Sequence, residues 1–125
     1  MVPLAPLPAK LFQCATKLAA NGPYLFPSNV SKDGILGEYT LRQAIDRLIK
    51  SGRLDCKPFS PKDLRTTVKT GMARLGISRE VRDRVQNHKP QGIGDTAYNF
   101  HDYIKEKREA LERWAAHVQK LIKSA

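Results

Sequence analysis

Residues 60–76 decide the fold class and read SPKDLRTTVKTGMARLG. Ser60 has the side chain of a helix N-cap, Pro61 suits the first helical position, and Asp63 puts a negative charge in the first turn. Gly76 is the kind of residue at which helices commonly end. The stretch therefore predicts a helix that begins at Pro61 and stops before Gly76.

Two earlier segments and two later ones also have helical spacing of apolar residues. A first helix is predicted over residues 8–20 and a second over residues 41–49, each followed by a glycine that can end it. Ser78 caps a shorter helix after residue 76. A long last helix is predicted from about Asp102 to the end, with this apolar stripe: Tyr103, Ala110, Leu111, Trp114, Val118, Leu121 and Ile122.

The remaining segments lack helical periodicity. Residues 24–26 form a short apolar run ended by Pro27, which predicts a buried extended segment. Residues 88–94 contain two glycines and no apolar period, so they predict a loop. The fold class is therefore mainly α, with at most minor β structure and a long C-terminal helix.

Composition limits the class of protein. A chain of 125 residues fits one domain, and 41% hydrophobic with 27% charged residues is typical of a folded globular protein. Cys14 and Cys56 have no close partner, so neither a disulfide framework nor a zinc site is expected. The chain has no apolar run near the roughly 18 residues that a membrane span needs. We expect a protein that is not exported and lies in a reduced cytoplasm.

Charge indicates the partner class. The chain has 22 Lys and Arg against 12 Asp and Glu, a formal net charge of +10. This balance favours a polyanion such as nucleic acid, and the basic residues are spread along the chain instead of forming a tail. A solvated surface with a high isoelectric point explains the same charge equally well, so charge alone leaves both interpretations open.

Four residues form a chemical constellation by their order. Lys62 and Arg65 lie in the first turns of the helix that starts at Pro61, His88 follows the fourth helix, and Tyr98 comes ten residues later. Taken singly, each has an ordinary explanation: surface charges, a polar loop residue and a packed aromatic ring. Their joint spacing carries more information than any one of them.

The boxes PKDLRTT at 61–67, VQNHKP at 85–90 and AYN at 97–99 resemble the successive signatures of tyrosine recombinases of the phage-integrase family. That family has a His-x-x-Arg box, a later His or Trp, and then a nucleophilic Tyr. The segment YLFP at 24–27 and the ending from Tyr98 to Trp114 are also similar to prophage and satellite-phage integrases. The likeness extends over nearly the whole chain.

The resemblance implies site-specific recombination of double-stranded DNA through a 3′-phosphotyrosyl intermediate, with no cofactor and no metal. It also implies a bacterial host, where the protein would be associated with the nucleoid in the cytoplasm. Tyr98 is expected to be the nucleophile. Arg65 is expected to hold the non-bridging phosphate oxygens with a planar pair of donors, and His88 to add a hydrogen bond there. Lys69 and Lys89 are expected to contact DNA. Lys62 departs from the pattern, because it stands where most members have His, and as a base it would need a depressed pKa.

A second departure from the family pattern is that the resemblance covers only part of the family's catalytic domain. The family's first catalytic Arg and the Lys of its β-hairpin lie before the matched region, as do the arm-binding and core-binding domains. The expectation is that residues 1–125 are one domain, a partial catalytic domain that is inactive alone.

Two other interpretations compete with the enzyme. The two helices around Gly76 also resemble a non-enzymatic helix-turn-helix module, although Met72 and Arg82 fit its packing positions poorly. The C-terminal helix, through Leu111, Trp114 and Val118, is suited either to packing in its own core or to self-association.

Overall fold

A computed structural model describes residues 1–19, 22–88 and 101–124. Within these residues the protein is mainly α, with no β-strand and one isolated bridge between Pro27 and Ile35. Its helices in chain order are α1 Pro6–Leu18, α2 Thr40–Lys50, α3 Pro61–Arg74, α4 Arg79–Val85 and α5 Ile104–Ser124. The predicted fold class is confirmed, and each predicted helix is present with its ends shifted by at most about two residues.

Three helices end in the same way, with a residue in the left-handed region that reverses the chain. After α3, Gly76 has φ 74°, its N–H donates to Ala73 O at 2.9 Å, and the N–H of Ile77 donates to Met72 O at 3.1 Å. These two bonds define a Schellman motif, and Ile77 and Met72 also meet in the core, as this motif favours. The sequence predicted this stop correctly. The α2 terminus at Gly52 has the same pair of bonds.

The chain divides into two compact units, Met1–Ala9 with Thr66–Ala125 and Lys10–Arg65, and each is described by itself. The first unit has its core between α3, α4 and α5. Met72 is fully buried there, with Ile77 and Ala110 beside it. The side chains packed around these three are Val68, Leu75, Val81, Val85, Leu111 and Trp114.

The contact between α3 and α5 depends on Gly71. A Cβ atom at Gly71 would overlap the six-membered ring of Trp114, so the missing side chain allows the indole to lie directly on the α3 backbone. Leu111 and Trp114 therefore pack in the core of their own chain. Leu121 and Ile122, farther along α5, are exposed. Self-association through this helix stays a prediction.

The second unit buries little apolar surface among its described residues, with Ile45 and Ala19 as its buried hydrophobic side chains. The prediction of a buried extended segment at residues 24–26 is wrong about burial. Tyr24 and Phe26 are exposed, and only Leu25 is half-buried. Within the described residues the run leads into one isolated bridge at Pro27 instead of joining a sheet, and Tyr24 and Phe26 stay in contact with solvent.

Apolar side chains of α1 and of α2 remain open to solvent. No residue of α1 is buried, and Leu11 and Leu18 on its apolar stripe are exposed. In α2, Leu41 and Leu48 are exposed while Ile45 is buried. Among the described helices, none is long and apolar enough to cross a membrane.

Candidate nucleic-acid site

The position of His88 is set by the end of α4. Asn87 has φ 54°, a conformation that Asn adopts more readily than most residues, and its N–H donates to Arg84 O at 3.2 Å. The N–H of His88 donates to Asp83 O at 2.9 Å. These bonds form a second Schellman motif in this unit, with Asn87 in the place of glycine. The reversal brings the His88 ring back alongside the last turn of α4.

Asp83 is the centre of a polar cluster with Lys69 and His88. Its Oδ1 forms a close ion pair with Lys69 Nζ on α3 and lies 3.3 Å from His88 Nδ1. Lys69 Nζ is itself 3.4 Å from His88 Nδ1. On the other side, Asp83 Oδ2 lies 3.6 Å from Arg79 Nε. We call these three residues, Lys69, Asp83 and His88, the His88 cluster.

The cluster favours the charged form of Asp83. The hydrogen bond from Lys69 is the main reason that the pKa of the Asp83 carboxyl lies below its ordinary value; desolvation opposes it, and the hydrogen bond from His88 lowers the pKa further. Asp83 is therefore a carboxylate at neutral pH and only accepts hydrogen bonds. Lys69 and His88 remain partly exposed, with 31% and 42% of their side-chain surface accessible. Both can reach a ligand from solvent.

Lys62 and Arg65 lie in the first turns of α3, as predicted, and both are exposed. The helix start is held by Asp63, whose Oδ2 accepts from Ser60 N and from Ser60 Oγ, both at 2.8 Å. These bonds hold the pKa of Asp63 below its ordinary value. The sequence predicted that the Ser60 hydroxyl caps the helix by accepting from a backbone N–H. In the structure this hydroxyl donates to the Asp63 carboxylate.

Lys89 and Tyr98 lie outside the described residues, and the boundary of the two units falls between Arg65 and Thr66. The expected meeting of Arg65, His88 and Tyr98 around one phosphate therefore stays a prediction. Of the predicted site residues, the structure brings Lys69 and His88 together.

A second polar cluster surrounds Tyr103, just before α5. The Tyr103 hydroxyl donates to Glu80 Oε1 at 2.5 Å, and the Arg84 guanidinium carbon lies 3.8 Å from the centre of the Tyr103 ring. Arg84 also pairs with Glu80 at 3.3 Å. The bond from Tyr103 is the main reason that the pKa of Glu80 is lowered. The ring thus has polar neighbours from α4, whereas the sequence had placed it at the head of an apolar stripe.

Asp83 and Asn87 are the residues that sequence reasoning missed. The available signal was an Asn directly before His88 at the end of a short helix, since Asn is the usual substitute for Gly after a helix C-cap. That signal also identifies Asp83, because in this motif the N–H of His88, the residue after Asn87, donates to the carbonyl oxygen of Asp83. Elsewhere, the residues that the structure describes contain no group of three side chains suited to hold a metal ion.

Comparison with known proteins gives no relative. No family model matches the chain, no curated protein matches it, and no solved structure matches it.

Proposed function

We propose that this chain carries the nucleophile-bearing part of the catalytic domain of a tyrosine recombinase and takes part in cutting and rejoining double-stranded DNA. The observation that carries the proposal is the order and spacing of Arg65, His88 and Tyr98 within three boxes that resemble the family's signatures. The His88 cluster supports it, because it gathers a Lys and a His with exposed surface on a chain of net charge +10.

The chemistry assigns one role to each residue. The phenolic oxygen of Tyr98 gives up its proton and attacks the phosphorus, the bond from phosphorus to the 5′ oxygen breaks, and the leaving 5′ oxygen takes up a proton. In the net reaction one proton passes from the phenol to the 5′ hydroxyl. Negative charge grows on the non-bridging oxygens during this exchange, and preorganised donors stabilise it. Arg65 would supply a planar pair of donors and His88 one more, while Lys62 and Lys69 would add positive charge.

The choice of Tyr98 over Tyr103 as nucleophile has support from the surroundings of Tyr103. Its hydroxyl is bonded to Glu80 and its ring lies under Arg84, which gives this residue a structural role at the start of α5. Tyr98 also stands at the family's distance from His88.

The helix-turn-helix module is the second candidate, and the turn at Gly76 between α3 and α4 favours it. The side chains of α4 argue against it as a recognition helix. Arg82 donates to the carbonyl oxygens of Ile77 at 3.1 Å and Lys69 at 3.3 Å, and Arg84 packs on Tyr103. These two arginines of a seven-residue helix are thus engaged inside the chain.

The two candidates differ in how DNA binding responds to salt and sequence. Binding through phosphates should show little sequence preference and weaken steeply with salt. We expect Arg65→Ala to weaken binding equally on unrelated duplexes and to reduce the salt slope by about 1. Lys123→Ala, at an exposed basic residue in the last turn of α5, is the matched control and should change the slope less.

Fluorescence anisotropy of labelled duplexes at several salt concentrations measures both quantities. Tight binding to one sequence that resists salt would replace the recombinase proposal with the helix-turn-helix module. A chain that binds no duplex at low salt would contradict both.

A further inference from the structure

Asp83 holds His88 by two separate bonds. Its backbone carbonyl accepts from His88 N at 2.9 Å, and its Oδ1 lies 3.3 Å from His88 Nδ1. The carboxylate is itself fixed from two sides, by Lys69 on α3 and by Arg79 on α4. Within the described part of the chain, the hydrogen bonds of the His88 ring are made through Nδ1, toward Asp83 and Lys69. The Nε2 edge of the ring is therefore the one that can meet a ligand.

The two neighbours of Nδ1 favour opposite protonation states of that nitrogen. A carboxylate only accepts, so Asp83 requires a hydrogen on Nδ1, whereas an ammonium only donates, so Lys69 requires a lone pair there. A phosphate that binds next to the cluster changes this competition between Asp83 and Lys69 for Nδ1, because the Lys69 ammonium can then pair with the phosphate instead. The Asp83 carboxylate can then accept from His88 without competition from Lys69. A ring with hydrogens on both nitrogens can donate to Asp83 through Nδ1 and to the phosphate through Nε2.

We propose that Asp83 is a positioning residue, which turns the Nε2 edge of His88 toward the DNA phosphate and stabilises the doubly protonated ring while that phosphate is bound. The phosphate part of this inference rests on the proposed function. The charged groups that face the ring among the described residues are Lys69 and Asp83, with Arg79 acting on Asp83 from behind. Protonation of His88 and phosphate binding should therefore favour each other.

Nitrogen NMR of the labelled chain without DNA tests the orientation. Above the pH at which histidines are protonated, the His88 signals should show the hydrogen on Nδ1, because the Lys69 ammonium can direct its hydrogens to the carboxylate that it already contacts, whereas Asp83 can only accept. Asp83→Ala should move it to Nε2, whereas Asp83→Asn keeps an acceptor oxygen and should leave it on Nδ1. Lys123→Ala, at an exposed basic residue in the last turn of α5, is the control and should change nothing. A hydrogen on Nε2 in the unaltered chain would overturn the orientation.

The pH dependence of DNA binding tests the role of the charge. From about pH 6 to about pH 8 at constant ionic strength, affinity for a short duplex should fall about tenfold, the factor contributed by one charge-assisted hydrogen bond. His88→Gln should flatten this dependence. Asp83→Asn should also flatten it to less than about threefold, while its affinity at the higher pH stays at or above that of the unaltered chain, because a negative charge near the phosphate is lost.

The outcomes separate the two proposals. An unaltered pH dependence in Asp83→Asn, with DNA binding intact, would overturn the role of Asp83 and leave the recombinase proposal standing. Failure of the chain to bind DNA would overturn the proposed function and the phosphate part of the inference. The NMR measurement would still decide the orientation of His88, since it uses no DNA.

Discussion

Substitution of Gly71 by Ala tests the close contact between α3 and the Trp114 ring. A Cβ atom there would overlap the Trp114 ring and lie 3.3 Å from its Cε3 atom. Overpacking a core typically costs about 1–3 kcal/mol, and an overlap with a rigid ring that lies on the backbone belongs at the upper end. Ala is better than Gly inside a helix by about 1 kcal/mol. The net expectation is a loss of about 2 kcal/mol in the free energy of unfolding.

The same substitution should change sign when the ring is absent. In a Trp114→Leu background the overlap disappears and only the helix preference remains, so Gly71→Ala should stabilise the chain by about 1 kcal/mol. Urea unfolding of the four proteins in this cycle gives a coupling energy, expected at about 3 kcal/mol. Equal effects of Gly71→Ala in both backgrounds would refute the direct contact between α3 and the indole.

Two further predictions concern the end of α4 and its charges. Asn87→Gly should leave stability to urea unchanged or slightly raised, whereas Asn87→Ala should lower the free energy of unfolding by about 1 kcal/mol, because φ is 54° there. Equal effects of the two substitutions would contradict a left-handed conformation at Asn87. The second prediction follows from the lowered pKa of Asp83, whose ordinary value is 3.8. A lowered folded-state pKa gives stability that is present above the ordinary value and lost as pH falls through the folded one. Asp83→Asn should therefore lose less stability than the unaltered chain between about pH 5 and about pH 2, measured by thermal unfolding at each pH, and an equal loss in both proteins would show that Asp83 does not contribute.

The helices could be predicted because their signals are local. The apolar spacing and end residues of α2 and α3 lie within each segment, and the Ser78 cap of α4 is present, with its hydroxyl accepting from Val81 N at 3.4 Å. Burial was harder to predict, because it depends on a partner surface. Tyr24 and Phe26 have the composition of a buried strand, yet the described chain places no second layer over them.

The candidate site shows the same division. Arg65 and His88 were identified by position along the chain, while the contact of the Asp83 side chain with the His88 ring became visible only in the structure, where the reversal at Asn87 brings that ring alongside α4. Tyr103 is a similar case. Its partners Glu80 and Arg84 come from another helix, and a stripe read along α5 alone could not show that they would surround the ring.

Trapping a covalent protein–DNA adduct tests whether Tyr98 is the nucleophile of a recombinase. A nicked suicide duplex lets a cut strand diffuse away, so a phosphotyrosyl bond accumulates and survives a denaturing gel. The assay requires a polypeptide that supplies, ahead of residue 1, the family's first catalytic Arg and hairpin Lys, because the loss of one such donor costs about a hundredfold or more in rate. We expect an adduct whose nucleotide maps to Tyr98 by mass spectrometry and which Tyr98→Phe abolishes while DNA binding is retained. An adduct that persists in Tyr98→Phe, or the absence of any adduct with both upstream residues supplied, would contradict it.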